Sequence, residues 1–178
     1  MTLAPALFKS ANIEWETPPA LFALLRREFS FTLDVCAKRW NRKCAAYFTR
    51  ERDGLRQRWT GTCWMNPPYG RAIARWIRKA REESIRGVTV VCLVPARTDT
   101  AWWQDHVMRG REIRLLRGRL MFVGATSPAP FPSAVVIFKG SRTRRVVPRV
   151  VNWDWRRAVR TRHAAGYRRG HRSPALFH

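Results

Sequence analysis

The strongest constraint on the fold is an abrupt break between a β-like run and an amphipathic helix. Residues 62–65 are strand-like, and Asn66-Pro67-Pro68 ends the run at once, because proline has no backbone N–H to give to a sheet. Residues 71–83 then carry apolar side chains at helical spacing. A strand that passes directly into a helix is the repeating unit of α/β sheets.

The same alternation runs through much of the chain. Val88 to Val94 is a nearly continuous apolar run that ends at Pro95, which is typical of a buried strand. Thr17 before Pro18-Pro19 predicts the N-cap of a helix over residues 20–29. We therefore predict an α/β fold with a mainly parallel sheet and a terminal β-hairpin. The other predicted elements are strands over residues 31–37 and 133–138, a helix over 102–108, and a strand pair over 113–123 that turns at Gly118.

The residues at the break also suit the binding of a planar amino group. The two prolines hold the preceding carbonyls without a ladder partner, Asn66 adds a side-chain carbonyl, and Tyr69 adds a flat ring. Two acceptors beside an aromatic ring can hold both hydrogens of an exocyclic amino group on a base. An amino nitrogen held in this way loses conjugation with its ring and becomes more nucleophilic. The alternative interpretation is an ordinary strand-ending turn, since Asn and Pro are turn residues.

The charge of the chain indicates a polyanionic partner. There are 35 Lys+Arg against 12 Asp+Glu, a net charge of +23, which favours nucleic acid first and an anionic membrane surface second. Residues 139–178 hold 12 of the basic residues and a single acid, Asp154. We therefore predict two units: residues 1–138, and a basic extension over 139–178 that either contacts DNA through Arg and aromatic side chains or is a solvated tail.

Several function classes are not expected. The four cysteines lack zinc-site spacing, and we expect them to be reduced and no metal to be bound. No apolar run is long enough to span a bilayer and no leader is evident, so a soluble, cytoplasmic protein is expected. Cytosine-C5 methyltransferases attack through a Cys that follows a Pro, and the sequence has no Pro-Cys pair.

An ordered set of motifs resembles the phage-type DNA N6-adenine methyltransferase (Dam) family. Asn66-Pro67-Pro68-Tyr69 is similar to the signature of amino methyltransferases that use S-adenosylmethionine. The resemblance runs from about Trp15 to Phe138 and leaves the basic extension outside. Its other members are Trp15-Glu16-Thr17-Pro18-Pro19, Phe31-Thr32-Leu33-Asp34-Val35-Cys36-Ala37, Asp53-Gly54-Leu55, Trp59, Leu93-Val94-Pro95-Ala96-Arg97-Thr98-Asp99-Thr100 with Trp102-Trp103, and Pro130-Phe131-Pro132-Ser133-Ala134.

The resemblance implies a Rossmann-like, S-adenosylmethionine-dependent fold that methylates N6 of adenine in DNA, with the target base flipped out of the duplex. It implies that Asn66 and the Pro67 carbonyl hold the amino group, that Pro68 completes the rigid turn, and that Tyr69 stacks on the base. No nucleophilic side chain is needed, because the cofactor already carries a leaving group and the enzyme mainly positions the reactants.

The resemblance also implies where the cofactor binds. Thr17 and Pro18 correspond to the segment that contacts its methionine part, and Asp53 to an acidic residue near its adenine. Asp34 and Ala37 stand on the first cofactor-binding strand, although Asp34 could instead cap that strand or pair with an arginine. Trp15 is a candidate for cofactor contact or for packing.

Three further residues are candidates for contact with the substrate. Arg97 and Thr98 follow the clearest strand at its carboxyl end, where loops meet ligands, although Thr98 could instead cap the next helix. Phe131, between two prolines, is placed by the resemblance near the target base, and a core or hairpin role is the alternative.

One departure from the general methyltransferase pattern concerns the turn after the first strand. Residues 34–38 contain no glycine, and only 28 residues separate Ala37 from Asn66, so we expect a compressed fold. The alternatives are a non-catalytic basic DNA-binding protein with a decayed methyltransferase core, favoured by the missing glycine, and an RNA or cytosine-N4 amino methyltransferase.

Overall fold

The computed structural model describes residues 15–140 and 147–161 and shows a seven-stranded sheet. The strands are β1 (Leu33–Asp34), β2 (Ala46–Tyr47), β3 (Thr62–Met65), β4 (Thr89–Pro95), β5 (Glu112–Leu116), β6 (Ser133–Phe138) and β7 (Arg149–Trp153). The helices are α1 (Pro19–Glu28), α2 (Ile73–Ile85) and α3 (Ala101–Asp105), followed by a 3₁₀ turn at Val107–Arg109. Residues 155–161 are also helical.

The strand order is β2-β1-β3-β4-β6-β5-β7. Strands β1 to β4 are parallel to one another, and β6 lies antiparallel between β4 and β5. The chain moves outward from β1 to β2 and then returns to place β3 on the other side of β1. Ligands of doubly wound sheets bind at such a switch point, outside the carboxyl ends of the strands. The mainly parallel Rossmann-like fold predicted from the sequence is confirmed.

The middle of the fold is compressed, as the short spacing predicted. Strands β1 and β2 pair over two residues each, and residues 35–61 contain no helix. Strand β3 occupies the predicted residues. Helix α2 buries Ile73, Trp76, Ile77 and Ala80, and it packs against β4 and β6. The predicted strand over residues 31–37 is reduced to β1, although the Val35 and Ala37 N–H groups still donate to the carbonyls of Trp64 at 3.1 Å and Phe48 at 2.9 Å.

Two local predictions were wrong. No strand pair turns at Gly118: β5 ends at Leu116, and its antiparallel partner is β6, so the terminal hairpin has a long connection over residues 117–132. The segment around Val123 bridges instead to Glu16, whose carbonyl accepts its backbone N–H at 3.0 Å. Pro18, not Thr17, is the N-cap residue of α1, because the Thr17 hydroxyl is engaged elsewhere.

Part of the basic extension joins the sheet. Strand β7 pairs in parallel with β5, and the Trp155 side chain that follows it is buried. The division into residues 1–138 and 139–178 stays a prediction. Most of the tail's paired arginines, Arg144-Arg145 and Arg168-Arg169, lie outside the described residues.

The cysteines are free thiols, with Cys63 and Cys92 in the core. Within residues 15–140 and 147–161, no helix has the length and apolar character needed to cross a membrane.

A buried arginine, Arg114, links the end of α1 to strand β5. The Arg114 guanidinium on β5 donates to both carboxylate oxygens of Glu28, at the end of α1, and its Nε donates to Glu112 at 2.6 Å. Its guanidinium also lies over the ring of Trp153, 5.1 Å from the centroid. Helix α1 follows the Thr17-Pro18 segment directly, so this contact helps to fix the position of that segment.

We expect Arg114→Ala to lower the free energy of unfolding by about 2–3 kcal/mol, because it removes a buried guanidinium that donates charge-assisted hydrogen bonds to Glu28 and Glu112, while Glu112 keeps the longer contact to Arg149 at 3.5 Å. The matched control is Arg117→Ala: Arg117 is also paired, with Asp154 at 3.3 Å, but its side chain is 79% exposed. An exposed pair contributes little, so that change should stay within about 0.5 kcal/mol. Urea unfolding of both variants measures the difference, and equal losses would contradict the assigned role.

Candidate active site

Asn66 lies immediately after β3 with its side-chain amide fixed in orientation. Its Nδ2 donates to the Trp15 carbonyl and, at 3.0 Å, to the Thr17 hydroxyl oxygen. A backbone carbonyl can only accept, so the amide nitrogen must face Trp15 and Oδ1 must face the other way. Oδ1 is shielded from solvent and receives no donor from the described residues. The site therefore holds a buried acceptor with its lone pairs unused.

The two prolines build the turn that follows. Pro67 is buried, and no donor from residues 15–140 or 147–161 reaches its carbonyl oxygen. The Pro68 carbonyl accepts the Gly70 N–H at 3.1 Å, and the Gly70 carbonyl accepts the N–H of Ile73, the first residue of α2. These two hydrogen bonds hold the part of the turn that follows Pro67 and do not use the Pro67 carbonyl. This leaves the second acceptor expected from the sequence, the Pro67 carbonyl, available.

The Tyr69 side chain is buried and anchored by its hydroxyl. Its hydroxyl donates to the Leu93 carbonyl on β4 at 3.0 Å, and the residue is 8% exposed. Burial raises the pKa of this phenol well above its ordinary value, so the ring stays neutral. The stacking of Tyr69 on a base stays a prediction.

Four rings form an aromatic cluster beside Asn66: Trp15, Tyr69, Phe122 and Phe131. Trp15 lies 5.1 Å from Phe122 and 5.4 Å from Phe131 between centroids, and Tyr69 meets Phe131 edge to face at 5.6 Å. The Ala96 N–H donates to the Pro132 carbonyl at 2.8 Å, which ties the Phe131 segment to the end of β4. The structure thus brings Phe131 to Tyr69, and its contact with a substrate stays a prediction.

Sequence reasoning missed Phe122 and Ser133. The sequence pattern predicts that Phe122 lies in a strand pair. In the structure the neighbouring residue, Val123, bridges to Glu16, and this bridge places Phe122 next to Trp15. The Ser133 hydroxyl is buried at the same edge of the sheet and receives no partner from the described residues. Its place in the Pro130–Ala134 motif was the available signal.

Glu16 connects the two halves of the site. Its carboxylate lies 3.6 Å from the Lys43 ammonium, on the loop after β1, while its backbone pairs with Val123 beside the aromatic cluster. The flanking residues Trp15 and Thr17 hold Asn66. Three consecutive residues thus contact the loop after β1, the turn after β3 and the connection over residues 117–132.

Asp34 shapes the turn after β1 from a buried position. It is 3% exposed, and its two oxygens accept the N–H groups of Cys36 at 3.3 Å and Lys43 at 2.9 Å. Burial raises the pKa of this carboxyl to about 6, although both backbone donors oppose the rise. The Cys36 thiol lies beside the Asn66 backbone N–H, and burial raises its pKa well above its ordinary value. The carboxyl ends of β1 and β3 therefore meet here.

The other predicted cofactor residues lie around the same end of β1. Ala37 is buried and its N–H donates to the Phe48 carbonyl at 2.9 Å. Asp53 has a left-handed backbone, with φ at 44°, and its carboxylate accepts the Leu55 N–H and pairs with Arg56. Gly54 packs directly on the Val35 carbonyl, which brings Asp53 to this edge of the sheet. The cofactor contacts of Trp15, Thr17, Pro18, Asp34, Ala37 and Asp53 stay predictions.

Arg97 and Thr98 lie in the loop between β4 and α3 with exposed side chains. The Arg97 carbonyl accepts from the Thr100 hydroxyl at 2.7 Å, and the Thr98 carbonyl accepts from the Gln104 side chain. Their backbones thus brace the loop. This leaves the side chains available at the site edge, and their contact with substrate stays a prediction.

The strand order, with its switch point between β1 and β3, is that of a Rossmann-like α/β fold. A family model of the DNA N-6-adenine-methyltransferases (Dam) matches residues 6–156, and the chain belongs to this family. It is a DNA adenine-N6 methyltransferase, so the alternative of a decayed, non-catalytic core is not favoured.

Two curated relatives carry the same description. The DNA N-6-adenine-methyltransferase of Haemophilus phage HP1 is 32% identical over 119 residues, which are 65% of this chain and 69% of that protein. That of Escherichia phage T1 is 31% identical over 103 residues, covering 56% of this chain but less than half, 42%, of that protein. A solved structure, of a predicted O-methyltransferase from Agrobacterium tumefaciens, is 25% identical with a TM-score of 0.34, over 58% of this chain and 47% of that chain.

Thr17→Val tests whether the Thr17 hydroxyl positions Asn66. Valine keeps the shape but removes the acceptor for Nδ2, so we expect kcat to fall tenfold or more while the Kd for the cofactor changes little. Thr17→Ser keeps the hydroxyl and serves as the matched control. A raised cofactor Kd with unchanged kcat would instead assign Thr17 to cofactor contact.

Asp34 gives stability a defined pH dependence. Because its folded-state pKa of about 6 lies above the ordinary 3.8, the folded protein binds the extra proton between these values. Stability is therefore expected to fall by about 2–3 kcal/mol as the pH rises from about 4 to 6. The Asp34→Asn variant lacks this titration and should show a flatter profile over that window. Parallel urea-unfolding profiles for the two proteins would contradict the prediction.

Proposed function

We propose that the turn from Asn66 to Tyr69 is the active site, that S-adenosylmethionine is the methyl donor, and that the adenine enters flipped out of DNA. The observation that carries the proposal is the fixed Asn66 amide, whose Oδ1 is buried and has no donor among the described residues. An unused buried acceptor is costly unless a ligand satisfies it. In this proposal the protein acts in the cytoplasm of a bacterial or phage-infected cell.

The residues around β1 fit the proposed cofactor. Its amino acid part carries one carboxylate and one ammonium, and the edge offers a matching pair, Lys43 and Glu16, whose side chains are 17% and 33% exposed. Asp53, 39% exposed at the side chain, could accept from hydroxyl or amino groups of its nucleoside part. Thr17 and Pro18 would border the methionine part. When bound, the cofactor supplies a methyl group on a positively charged sulfur.

The protein side of the reaction is the placement of the adenine amino group. Asn66 Oδ1 and the Pro67 carbonyl would each accept one hydrogen of that group, which draws its nitrogen lone pair out of conjugation with the ring. Trp15 and Thr17 keep Oδ1 aimed at the base, so the Asn66 amide itself does not have to reorient when the base binds. Tyr69, neutral and anchored to Leu93, would supply the stacking surface.

Entry of the base requires a local rearrangement. Oδ1 is shielded in this structure, so the side chains that cover it must move aside when an adenine binds. The aromatic cluster is the candidate, because Phe122 and Phe131 both belong to the irregular connection over residues 117–132. Closure of these rings around the base would exclude water from the reacting groups.

Incubation with labelled S-adenosylmethionine and unmethylated DNA, followed by nucleoside analysis, tests the proposed site. We expect N6-methyladenine from the native chain, and none above background from Asn66→Ala, with cofactor binding retained. Asn152→Ala, an exposed asparagine on β7, is the matched control and should keep full activity. Methylation by Asn66→Ala at the native rate would refute the site, while N4-methylcytosine, or product on RNA alone, would reassign the substrate.

A further inference from the structure

Trp40 is a large apolar side chain left in solvent. It is 79% exposed, whereas Trp59, Trp64 and Trp103 are 3% exposed or less. Single exposed apolar residues are common and by themselves carry no meaning. Trp40 differs because of the charge, the shape and the position of the loop that presents it, residues 38–43, here called the Trp40 loop.

The Trp40 loop is strongly basic. Residues 35–50 contain Lys38, Arg39, Arg42, Lys43 and Arg50 and no acidic residue. The Lys38 ammonium lies 5.3 Å from the centroid of the Trp40 ring. Basic residues interleaved with an exposed ring suit phosphate contact together with base stacking.

The loop is held in shape by its own hydrogen bonds. The Lys38 N–H donates to the Asn41 side-chain oxygen at 2.8 Å, and the Asn41 N–H returns to the Lys38 carbonyl at 3.3 Å. The Arg42 guanidinium donates to the Arg39 carbonyl at 2.6 Å. Trp40 is therefore presented on a formed turn, so little ordering is needed when a partner binds.

The loop stands at the rim of the proposed active site. Lys43, its last residue, donates its N–H to Asp34 at the carboxyl end of β1 and pairs with Glu16, whose neighbours hold Asn66. Three residues of chain reach at most about 10 Å, so Trp40 lies within that distance of Lys43 along the backbone. This span corresponds to about three base steps at 3.4 Å each.

We propose that Trp40 stacks on a base of the DNA that flanks the target adenine, while the exposed arginines of the Trp40 loop, Arg39 and Arg42, contact the neighbouring phosphates. The inference rests on the proposed function, because it takes DNA to lie over the site at Asn66. Flipping the target base leaves a neighbouring base face without its stacking partner, and an indole ring can cover such a face. Trp40 is thus a DNA-binding residue outside the catalytic turn.

Fluorescence anisotropy with a short labelled duplex, at several salt concentrations, tests the proposal on the full chain. We expect Trp40→Ala to raise the Kd about tenfold, equivalent to ~1.4 kcal/mol, with the slope of log K against log salt unchanged. Trp40→Phe keeps an aromatic face and should recover most of the affinity. Arg39→Gln should instead lower the magnitude of that slope by about 0.9, the signature of one lost phosphate contact.

Val147→Ala is the matched control, because Val147 is 91% exposed and precedes β7 at the far edge of the sheet. It should leave the Kd unchanged. Cofactor binding and Tm should be native in every variant, since Trp40 makes no contribution to the core. Native affinity in Trp40→Ala, or equal losses in Trp40→Ala and Trp40→Phe, would overturn the inference. Failure of the native chain to bind or methylate DNA would mark the proposed function itself as wrong.

Discussion

The hydrogen bond from the Asn66 amide to the Trp15 carbonyl joins positions 51 apart in the chain, and the geometry of the site depends on it. It fixes which end of the amide faces inward, and so turns a residue at the end of a strand into a directed acceptor. The same three-residue segment reaches the loop after β1 through Glu16 and the aromatic rings through Trp15. Displacing it would therefore disturb the proposed cofactor side and the proposed base side together.

Charge and chemistry are separated in this molecule. The groups proposed to act on the base are an amide, a carbonyl and a neutral phenol, none of which carries a charge. The buried carboxylate nearby, Asp34, is occupied by two backbone N–H groups and organises a turn. Among the described residues, the positive charge lies mainly on exposed side chains, where it attracts a polyanion from a distance and is screened by salt. Charge would thus bring DNA to the surface, and uncharged groups would select the amino group.

The sequence predicted those features that local physics decides. Proline placement set the end of β3, and an unbroken apolar run set β4, because both act within a few residues. The sequence did not predict the contacts between segments that are distant in the chain. Thr17 has the signature of an N-cap, yet its hydroxyl accepts a hydrogen bond from Asn66. Residues 113–123 have the pattern of a strand pair, yet Val123 bridges to Glu16. Each of these tertiary bonds replaces a local one of similar strength, so propensity alone could not choose between them.

The structure also explains why the turn after β1 contains no glycine. A glycine is needed where another part of the backbone must approach closely. In this chain that glycine is Gly54, outside the turn, where a Cβ would lie 2.1 Å from the Val35 carbonyl oxygen. Trp59 anchors the segment by donating its indole N–H to the Gly54 carbonyl at 2.8 Å. The turn itself is shaped by Asp34, whose carboxylate accepts the N–H groups of Cys36 and Lys43. The missing glycine therefore reflects a different way of building the end of β1, and it is no sign of a decayed core.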